Sequence, residues 1–210
     1  MASRLLYVMD PMCSWCWGFA PVVKALAEQA AVDGVPLQIV TGGLRRDQVA
    51  INAAARVRYL GYWQAVNAST GQLFDFERGL PEGLVYDTEP ACRALVTARQ
   101  LDAASAWTLL KLVQQAFYTE GADVTQASVL VQLAERAGIP RIEFAEAFDS
   151  QAMQEATAAD FTWVQDLGIA GFPTLLAERD GQLALLTNGY QPLEVLAPLL
   201  GRWLERAAHA

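Results

Sequence analysis

The pattern of apolar and polar positions in the first 45 residues predicts a strand, a helix and a second strand. Residues 5–9 form a short apolar run closed by an aspartate–proline pair, which is typical of a buried strand. Residues 16–31 place their apolar side chains on one helical stripe, and residues 37–41 alternate like a strand before two glycines. A strand–helix–strand unit of this kind implies parallel pairing of its strands.

The middle of the chain, residues 46–165, shows helical periodicity, and we predict helices only. Thr88 and Thr125 are the expected N-caps of two of these helices, because their hydroxyls can accept hydrogen bonds from free backbone N–H groups. The stretch from 70 to 87 is the most loop-like part. The predicted helical segments are 46–68, 89–100, 103–118, 125–137, 140–148 and 151–167.

The last part of the chain returns to β structure. Residues 174–178 and 183–187 flank an Asp-Gly pair, which is a strong hairpin signal, and an amphipathic helix follows from 192 to 206. The pattern therefore predicts an α/β fold with one discontinuous domain, residues 1–45 and 166–210. A large all-helical insertion domain, residues 46–165, interrupts it.

Composition and charge narrow the classes of partner. The chain has 210 residues, of which 53% are hydrophobic, so it can bury a large core. Its formal net charge of −8 argues against nucleic acid and anionic membranes as partners, because little would neutralise their phosphates. The lone histidine, His209, stands next to the C-terminus, where a general base for serine or cysteine catalysis is not expected.

No stretch of the sequence matches a signal peptide or a membrane span, so we expect a cytoplasmic protein. Three cysteines do not form the disulfide framework of a small secreted fold. Their presence must be explained by chemistry or by packing. For Cys92, which stands among apolar residues of a predicted helix, a buried packing role is favoured over a reactive one.

Cys13-Ser14-Trp15-Cys16 is the motif that indicates a chemistry. It lies between a strand and a helix, where free backbone N–H groups and the helix dipole favour a thiolate at Cys13. Cys16 follows within one helical turn, so it can resolve a mixed disulfide formed on an exposed Cys13. A half zinc site and a pair of packing cysteines are the alternatives. A zinc site would need a second pair of ligands, and the sequence has no second Cys-x-x-Cys motif to supply it.

The sequence Gly171-Phe172-Pro173-Thr174 precedes the hairpin and is the second candidate element. A cis bond before Pro173 would turn the backbone of Phe172 outward, where it could pair with an extended substrate segment. The alternative is a proline that merely begins an edge strand. We expect Ser14, Trp15, Phe172, Pro173 and Thr174 to contact substrate, with Trp15 at the mouth of the site.

These features together resemble the thioredoxin fold, including a proline, Pro21, five residues after Cys16. The long helical insertion is similar to that of the DsbA-like branch. Three shorter motifs resemble a bacterial family of predicted protein-disulfide isomerases of the DsbA type: Gly42-Gly43-Leu44-Arg45, Thr70-Gly71-Gln72 and the stretch 86–93. The resemblance implies that Cys13 is the nucleophile, Cys16 the resolving thiol, and Phe172 with Pro173 the substrate-docking loop.

The implied function is thiol–disulfide exchange or isomerisation on peptide or small-molecule disulfides, without a metal or organic cofactor. The dipeptide Ser14-Trp15 is neither of the pairs that mark strongly reducing or strongly oxidising relatives, so the direction of electron flow stays open. One alternative is a glutathione-dependent isomerase or transferase of the kappa-class or hydroxychromene-carboxylate isomerase type. Another is a non-catalytic binding module. In the disulfide-exchange interpretation glutathione could serve as the thiol co-substrate. The sequence gives no indication of the oligomeric state.

Overall fold

The computed structural model describes residues 3–208, with side chains up to Glu205, so the lone histidine, His209, lies outside the described residues. None of the described helices combines the length and apolar character needed to cross a bilayer. The elements in chain order are β1 (Ser3–Met9), α1 (Ser14–Val32), β2 (Leu37–Thr41), β3 (Arg46–Ala50), α2 (Ala53–Thr70), β4 (Val85–Asp87), α3 (Glu89–Leu101), α4 (Ala103–Thr119), α5 (Ala127–Arg136), α6 (Arg141–Asp149), α7 (Gln151–Asp166), β5 (Thr174–Arg179), β6 (Gln182–Asn188) and α8 (Leu193–Ala208).

A four-stranded mixed sheet in the order β2-β1-β5-β6 organises the described part of the chain. Strand β1 pairs in parallel with β2, where Leu5 faces Leu37, and antiparallel with β5, where Leu5 faces Ala177. The predicted hairpin joins β5 to β6, and its turn residues Asp180 and Gly181 both have positive φ, as a type I′ turn requires. The α/β fold class is confirmed.

Strand β1 lies at the centre because both of its faces are apolar. Its last five residues, Leu5 to Met9, are all buried, and side chains from helices on either side cover them. Helix α1 begins directly after the turn that ends β1, and its apolar stripe, with Phe19 and Leu26 fully buried, packs into the larger core. The start of α1 therefore lies at the C-terminal end of the central strand β1.

The prediction that residues 46–165 contain helices only was wrong. Residues 46–50 form β3, which pairs antiparallel with the short β4, and Arg46 faces Asp87 across this ribbon. Most of β3 is exposed, so its residues lack the apolar alternation that would have indicated a strand. Helix α2 accordingly begins at Ala53, where the side chain of Asn52 accepts a hydrogen bond from the N–H of Ala55. The division of the chain into two domains stays a prediction.

Thr88 is the N-cap residue of α3 as predicted, but neither predicted threonine makes a side-chain capping bond. The hydroxyl of Thr88 makes no capping bond to α3 and donates instead to the carboxylate of Asp10, 2.6 Å away. The N-cap of α5 is Gln126, while the hydroxyl of Thr125 donates to Asp123 in the preceding turn. Both hydroxyls donate to a carboxylate, and the hydroxyl oxygen of Thr88 accepts from the N–H of Arg45 at 3.3 Å rather than from α3.

Side chains from two helices of the 46–165 segment hold the outer edge of β2. Arg99 of α3 donates to the carbonyl of Ile39 at 2.6 Å, and Asp160 of α7 accepts from the N–H of Thr41 at 2.9 Å. The two side chains also bind each other through two hydrogen bonds of 3.0 Å. This edge clamp, Arg99 with Asp160, satisfies backbone groups that an edge strand otherwise leaves open.

Candidate active site

The beginning of α1 places the two cysteines of the motif. Cys13 is the N-cap residue, with extended backbone (φ −85°, ψ 116°), and its side chain makes no capping bond to the helix. Cys16 lies in the first turn and is fully buried, and both residues are free thiols. A group at this position faces the unpaired N–H groups of the helix end, which stabilise a negative charge.

The sulfur of Cys13 is less accessible than the sequence suggested. We expected an exposed first cysteine, but Cys13 is only 7% exposed. It lies at the wall of a cavity of about 270 Å³ that opens beside the N-terminus of α1. Aromatic side chains form much of the cavity wall. Trp15 contributes from the first turn of α1, and Tyr62 contributes together with other aromatic residues of α2. A substrate would therefore reach Cys13 through the cavity.

The loop before β5 approaches Cys13 from the other side of the motif. The Phe172–Pro173 peptide bond is cis, and the carbonyl oxygen of Phe172 lies 3.7 Å from the sulfur of Cys13, within hydrogen-bonding range of the thiol. The ring of Phe172 covers Gly42, where an added Cβ would lie 2.0 Å from the ring. Gly42 therefore lets the loop approach this closely, since any side chain there would push Phe172 away.

The remaining predicted substrate contacts divide into two groups. Ser14 and Trp15 line the cavity together with Phe172, and Trp15 is half-buried against Tyr190, with 5.9 Å between ring centroids. Thr174 is different, because it is 1% exposed and its hydroxyl donates to the carbonyl of Gly171. Pro173 also lies behind the surface, and its carbonyl accepts from the N–H of Gly189. The cavity thus brings together three of the five predicted contacts.

A buried carboxylate lies directly behind the motif. Asp10 is inaccessible to solvent and accepts hydrogen bonds from the N–H groups of Met12 (2.8 Å) and Leu44 (2.7 Å). It also accepts from the hydroxyl of Thr88 and, at 3.4 Å, from the thiol of Cys92. Burial raises the pKa of Asp10, and these hydrogen bonds partly oppose that rise.

Burial dominates the chemistry of the other two thiols. It raises the pKa of Cys16 well above the usual thiol range, and the hydrogen bond to Cys13 raises it further. Burial also raises the pKa of Cys92, with a further contribution from the negative charge of Asp10. The buried position of Cys92 agrees with the packing role favoured for it, although its polar contact with Asp10 was not foreseen.

Sequence reasoning missed most of the cavity wall. Arg45, Tyr59 and Tyr86 line it, and they come from the loop after β2, from α2 and from β4. The hydroxyl of Tyr86 donates to the carbonyl of Met12 at 2.7 Å, which fixes the loop before Cys13. The Gly-Gly-Leu-Arg motif was a signal for Arg45 and the stretch 86–93 was one for Tyr86, whereas Tyr59 had none. Among the described residues, no group of three metal-ligating side chains is arranged to hold an ion.

Residues 4–201 match the family model of the DSBA-like thioredoxin domain. Among solved structures, a proposed protein disulfide isomerase from Nitrosomonas europaea is 38% identical, with a TM-score of 0.91 over 98% of this chain and 99% of that chain. The cytosolic disulfide reductase DsbM from Pseudomonas aeruginosa is 29% identical, with a TM-score of 0.78 over 95% and 98% of the two chains.

Two curated relatives are more distant. The ClpXP adapter protein SpxH of Halalkalibacterium halodurans is 22% identical over 91% of this chain, and that of Bacillus subtilis is 23% identical over 80%. The chain spans 64% and 55% of the length of these two relatives. Both sequence identities are lower than those to the two solved structures, which are 38% and 29%.

Proposed function

Because the chain belongs to the family of DSBA-like thioredoxin domains, we propose that it is a thiol–disulfide oxidoreductase that uses Cys13 and Cys16 as its reactive pair. One observation carries the proposal. The sulfur of Cys13 lies at the N-terminus of α1, on the wall of the cavity and 3.7 Å from the carbonyl of Phe172. The nucleophile, the helix end and the docking loop thus meet at one point.

The proposed reaction has two steps. The thiolate of Cys13 attacks one sulfur of a substrate disulfide, forming a mixed disulfide and releasing one thiolate. Cys16 then attacks the sulfur of Cys13, and its proton ends on the second leaving thiolate. The protein is oxidised to a Cys13–Cys16 disulfide, while the substrate disulfide is reduced to two thiols. The reverse sequence oxidises a substrate dithiol.

The different burial of the two thiols sets their order of attack. Since burial raises the pKa of Cys16, its thiol stays protonated at neutral pH and is a poor first nucleophile. Cys13 is the residue that touches the cavity, whereas Cys16 is fully enclosed. A substrate therefore meets Cys13 first, and Cys16 acts only after the mixed disulfide has formed.

Glutathione is the thiol partner that the comparisons support best. DsbM from P. aeruginosa has also been solved with GSH, and it is 28% identical to this chain in that structure. DsbM is named a cytosolic reductase, which supports a cytoplasmic location and a reducing direction for this protein. The hydroxychromene-carboxylate isomerase is only 14% identical, so its likeness supports the shared fold and not that alternative activity.

A second candidate function follows from the curated relatives. Their name describes an adapter of the ClpXP protease, which would make this chain a binding protein whose cysteines are dispensable. The free thiol of Cys13 on the cavity wall, with the free thiol of Cys16 in the helical turn behind it, favours the redox function over this one. The two candidates differ in what they require of Cys13.

The test compares the parent protein with Cys13→Ser, Cys16→Ser and Cys92→Ala. Reduction of insulin by dithiothreitol and reduction of glutathione disulfide are followed, with conjugation of glutathione to an electrophile as a parallel assay. We expect Cys13→Ser to abolish both reductions and Cys16→Ser to accumulate a mixed disulfide visible by mass spectrometry. Cys92→Ala is the matched control and retains activity. Full activity of Cys13→Ser would contradict the proposal, and activity in the conjugation assay alone would favour the isomerase or transferase class.

A further inference from the structure

Arg45 is the residue of the cavity that the proposed reaction does not use. Its guanidinium carbon lies 4.7 Å from the centre of the Tyr59 ring and 5.6 Å from that of Tyr86. The backbone of Arg45 is fixed as well, because its carbonyl accepts from the N–H of Thr88 at 2.9 Å. The side chain is half-buried and lines the same cavity as Cys13.

The charge of Arg45 has no counter-ion in the described part of the protein. Several other arginines form ion pairs with carboxylates, namely Arg46 with Asp87, Arg93 with Glu89 and Arg99 with Asp160. Arg45 forms none with the described carboxylates, and the residues that line the cavity include no aspartate or glutamate. The guanidinium lies over both rings, whose centroids are 5.1 Å apart, and it donates no hydrogen bond to another described residue. A half-buried cation with unused donors is suited to bind an anion.

The net negative charge of the whole chain opposes the approach of an anion to Arg45. At −8 the protein repels small anions at long range, so a carboxylate-bearing substrate needs a local cation beside the nucleophile. A guanidinium matches a carboxylate because it can donate two parallel hydrogen bonds to its two oxygens. Burial raises the pKa of Tyr86 well above the usual phenol range, so its hydroxyl stays neutral and does not compete for the guanidinium as an anion.

We propose that Arg45 is a specificity-determining residue, which binds a carboxylate of small disulfide substrates while Cys13 attacks their sulfur. The proposal rests on the proposed function and names its substrate class, small disulfides that carry carboxylates. Glutathione disulfide is a member of this class. In the reaction, Cys13 and Cys16 together lose two electrons to the substrate disulfide, whose sulfur–sulfur bond breaks to give two carboxylate-bearing thiols. Arg45 takes no part in the electron transfer.

Two symmetrical disulfides of similar size test the proposal. Dithiodipropionate carries a carboxylate at each end, whereas bis-hydroxyethyl disulfide carries neutral hydroxyls. The reduced protein is mixed with an excess of either compound, and the second-order rate constant for formation of the internal disulfide is measured by acid quench and mass spectrometry. The readout is the rate constant for dithiodipropionate divided by that for bis-hydroxyethyl disulfide. A general change in the reactivity of Cys13 affects both rate constants alike and cancels in this ratio.

The variants are Arg45→Gln, Arg45→Lys and, as a matched control, Arg58→Gln. Arg58 also lies over the Tyr59 ring, at 5.3 Å, but it is exposed and does not line the cavity. We expect Arg45→Gln to lower the ratio about tenfold, as loss of a charge-assisted hydrogen bond would. Arg45→Lys should restore part of it, and Arg58→Gln should leave the ratio within about twofold, as for exposed charges.

The possible outcomes distinguish failure of the Arg45 proposal from failure of the proposed thiol–disulfide exchange. An unchanged ratio in Arg45→Gln, or an equal loss in Arg58→Gln, would overturn the role of Arg45 while leaving the dithiol reaction intact. If the parent protein fails to form the internal disulfide with either compound, the proposed function itself fails. A drop in both rate constants with an unchanged ratio would show that Arg45 only maintains the structure, and this too would overturn the proposal.

Discussion

The three thiols of this protein differ in what can reach them. Cys13 lines a cavity, while Cys16 and Cys92 are fully buried and their pKa values are raised by that burial. A thiolate is the species that reacts with an alkylating reagent, and the reagent must also contact the sulfur. Burial thus disfavours reaction at Cys16 and Cys92 in two ways, by blocking the reagent and by raising their pKa values.

We predict that iodoacetamide modifies Cys13 at least tenfold faster than either other cysteine in the native, reduced protein. Peptide mapping by mass spectrometry after short exposures measures the three rates. Unfolding in guanidinium chloride is the control, since the three rates should then converge. Native modification of Cys92 at a rate close to that of Cys13 would contradict the prediction.

Asp10 gives a second prediction, on the pH dependence of stability. Burial raises the pKa of Asp10 in the folded state, so the folded protein holds a proton there that the unfolded chain releases at lower pH. The stability that this proton contributes is present below the pKa of an unfolded aspartate, about 3.9, and is lost as the pH rises through the higher folded value.

The difference in unfolding free energy between the parent and Asp10→Asn should therefore fall as the pH rises through that window. Urea unfolding at a series of pH values measures it. Asp102→Asn is the matched control, because a hydrogen bond from the hydroxyl of Ser105 lowers the pKa of exposed Asp102, and the corresponding difference should rise with pH instead. A flat difference for Asp10 would show that its folded pKa is ordinary.

At the scale of elements, the edge clamp of Arg99 and Asp160 ties α3 and α7 to strand β2. Asp160→Ala would leave the N–H of Thr41 without its acceptor and the guanidinium of Arg99 without its carboxylate partner. We expect a loss of about 1–3 kcal/mol in unfolding free energy, the cost of orphaning partly buried polar groups. Chemical denaturation measures it.

The exposed pair of Lys24 and Glu28 supplies the control for the edge clamp. Glu28→Ala also removes a carboxylate from an ion pair, but both side chains are largely in solvent, so the loss should stay below about 0.5 kcal/mol. Equal losses in the two variants would mean that the edge clamp contributes no more than a surface ion pair.

Local sequence pattern predicted the elements whose signals are local. The strand before Cys13, the helix after it and the Asp-Gly hairpin all depend on residues near one another in the chain. Strand β3 was missed because its pairing with β4 joins Arg46 to Asp87, and no local pattern records such a partner. The same reason applies to the site. Cys13 and Cys16 were visible as a motif, whereas Tyr59 and Tyr86 reach the cavity through long-range packing.

At the scale of the whole molecule, excess negative charge is the dominant electrostatic feature. With a net charge of −8 and a pI near 4.6, like charges repel one another across the folded protein at neutral pH. Salt screens this repulsion over about 10 Å at 0.1 M. Screening weakens the exposed ion pairs too, but these contribute little individually.

We therefore predict that sodium chloride raises the Tm at pH 7 and that this gain shrinks as the pH approaches 4.6. Differential scanning calorimetry at low and moderate salt measures it at each pH. Equal concentrations of an uncharged osmolyte control for effects on water. A fall in Tm with salt at pH 7 would show that attractive ion pairs outweigh the net repulsion.

The edge clamp also decides where the central sheet can grow. Because Arg99 and Asp160 already bind the carbonyl of Ile39 and the N–H of Thr41 on the outer side of β2, an added strand would have to displace both side chains there. Strand β6 forms the opposite border, and among the described strands none pairs with its outer side. Any lengthening of this sheet, by a strand from another copy or by an inserted segment in a homologue, is thereby directed to β6.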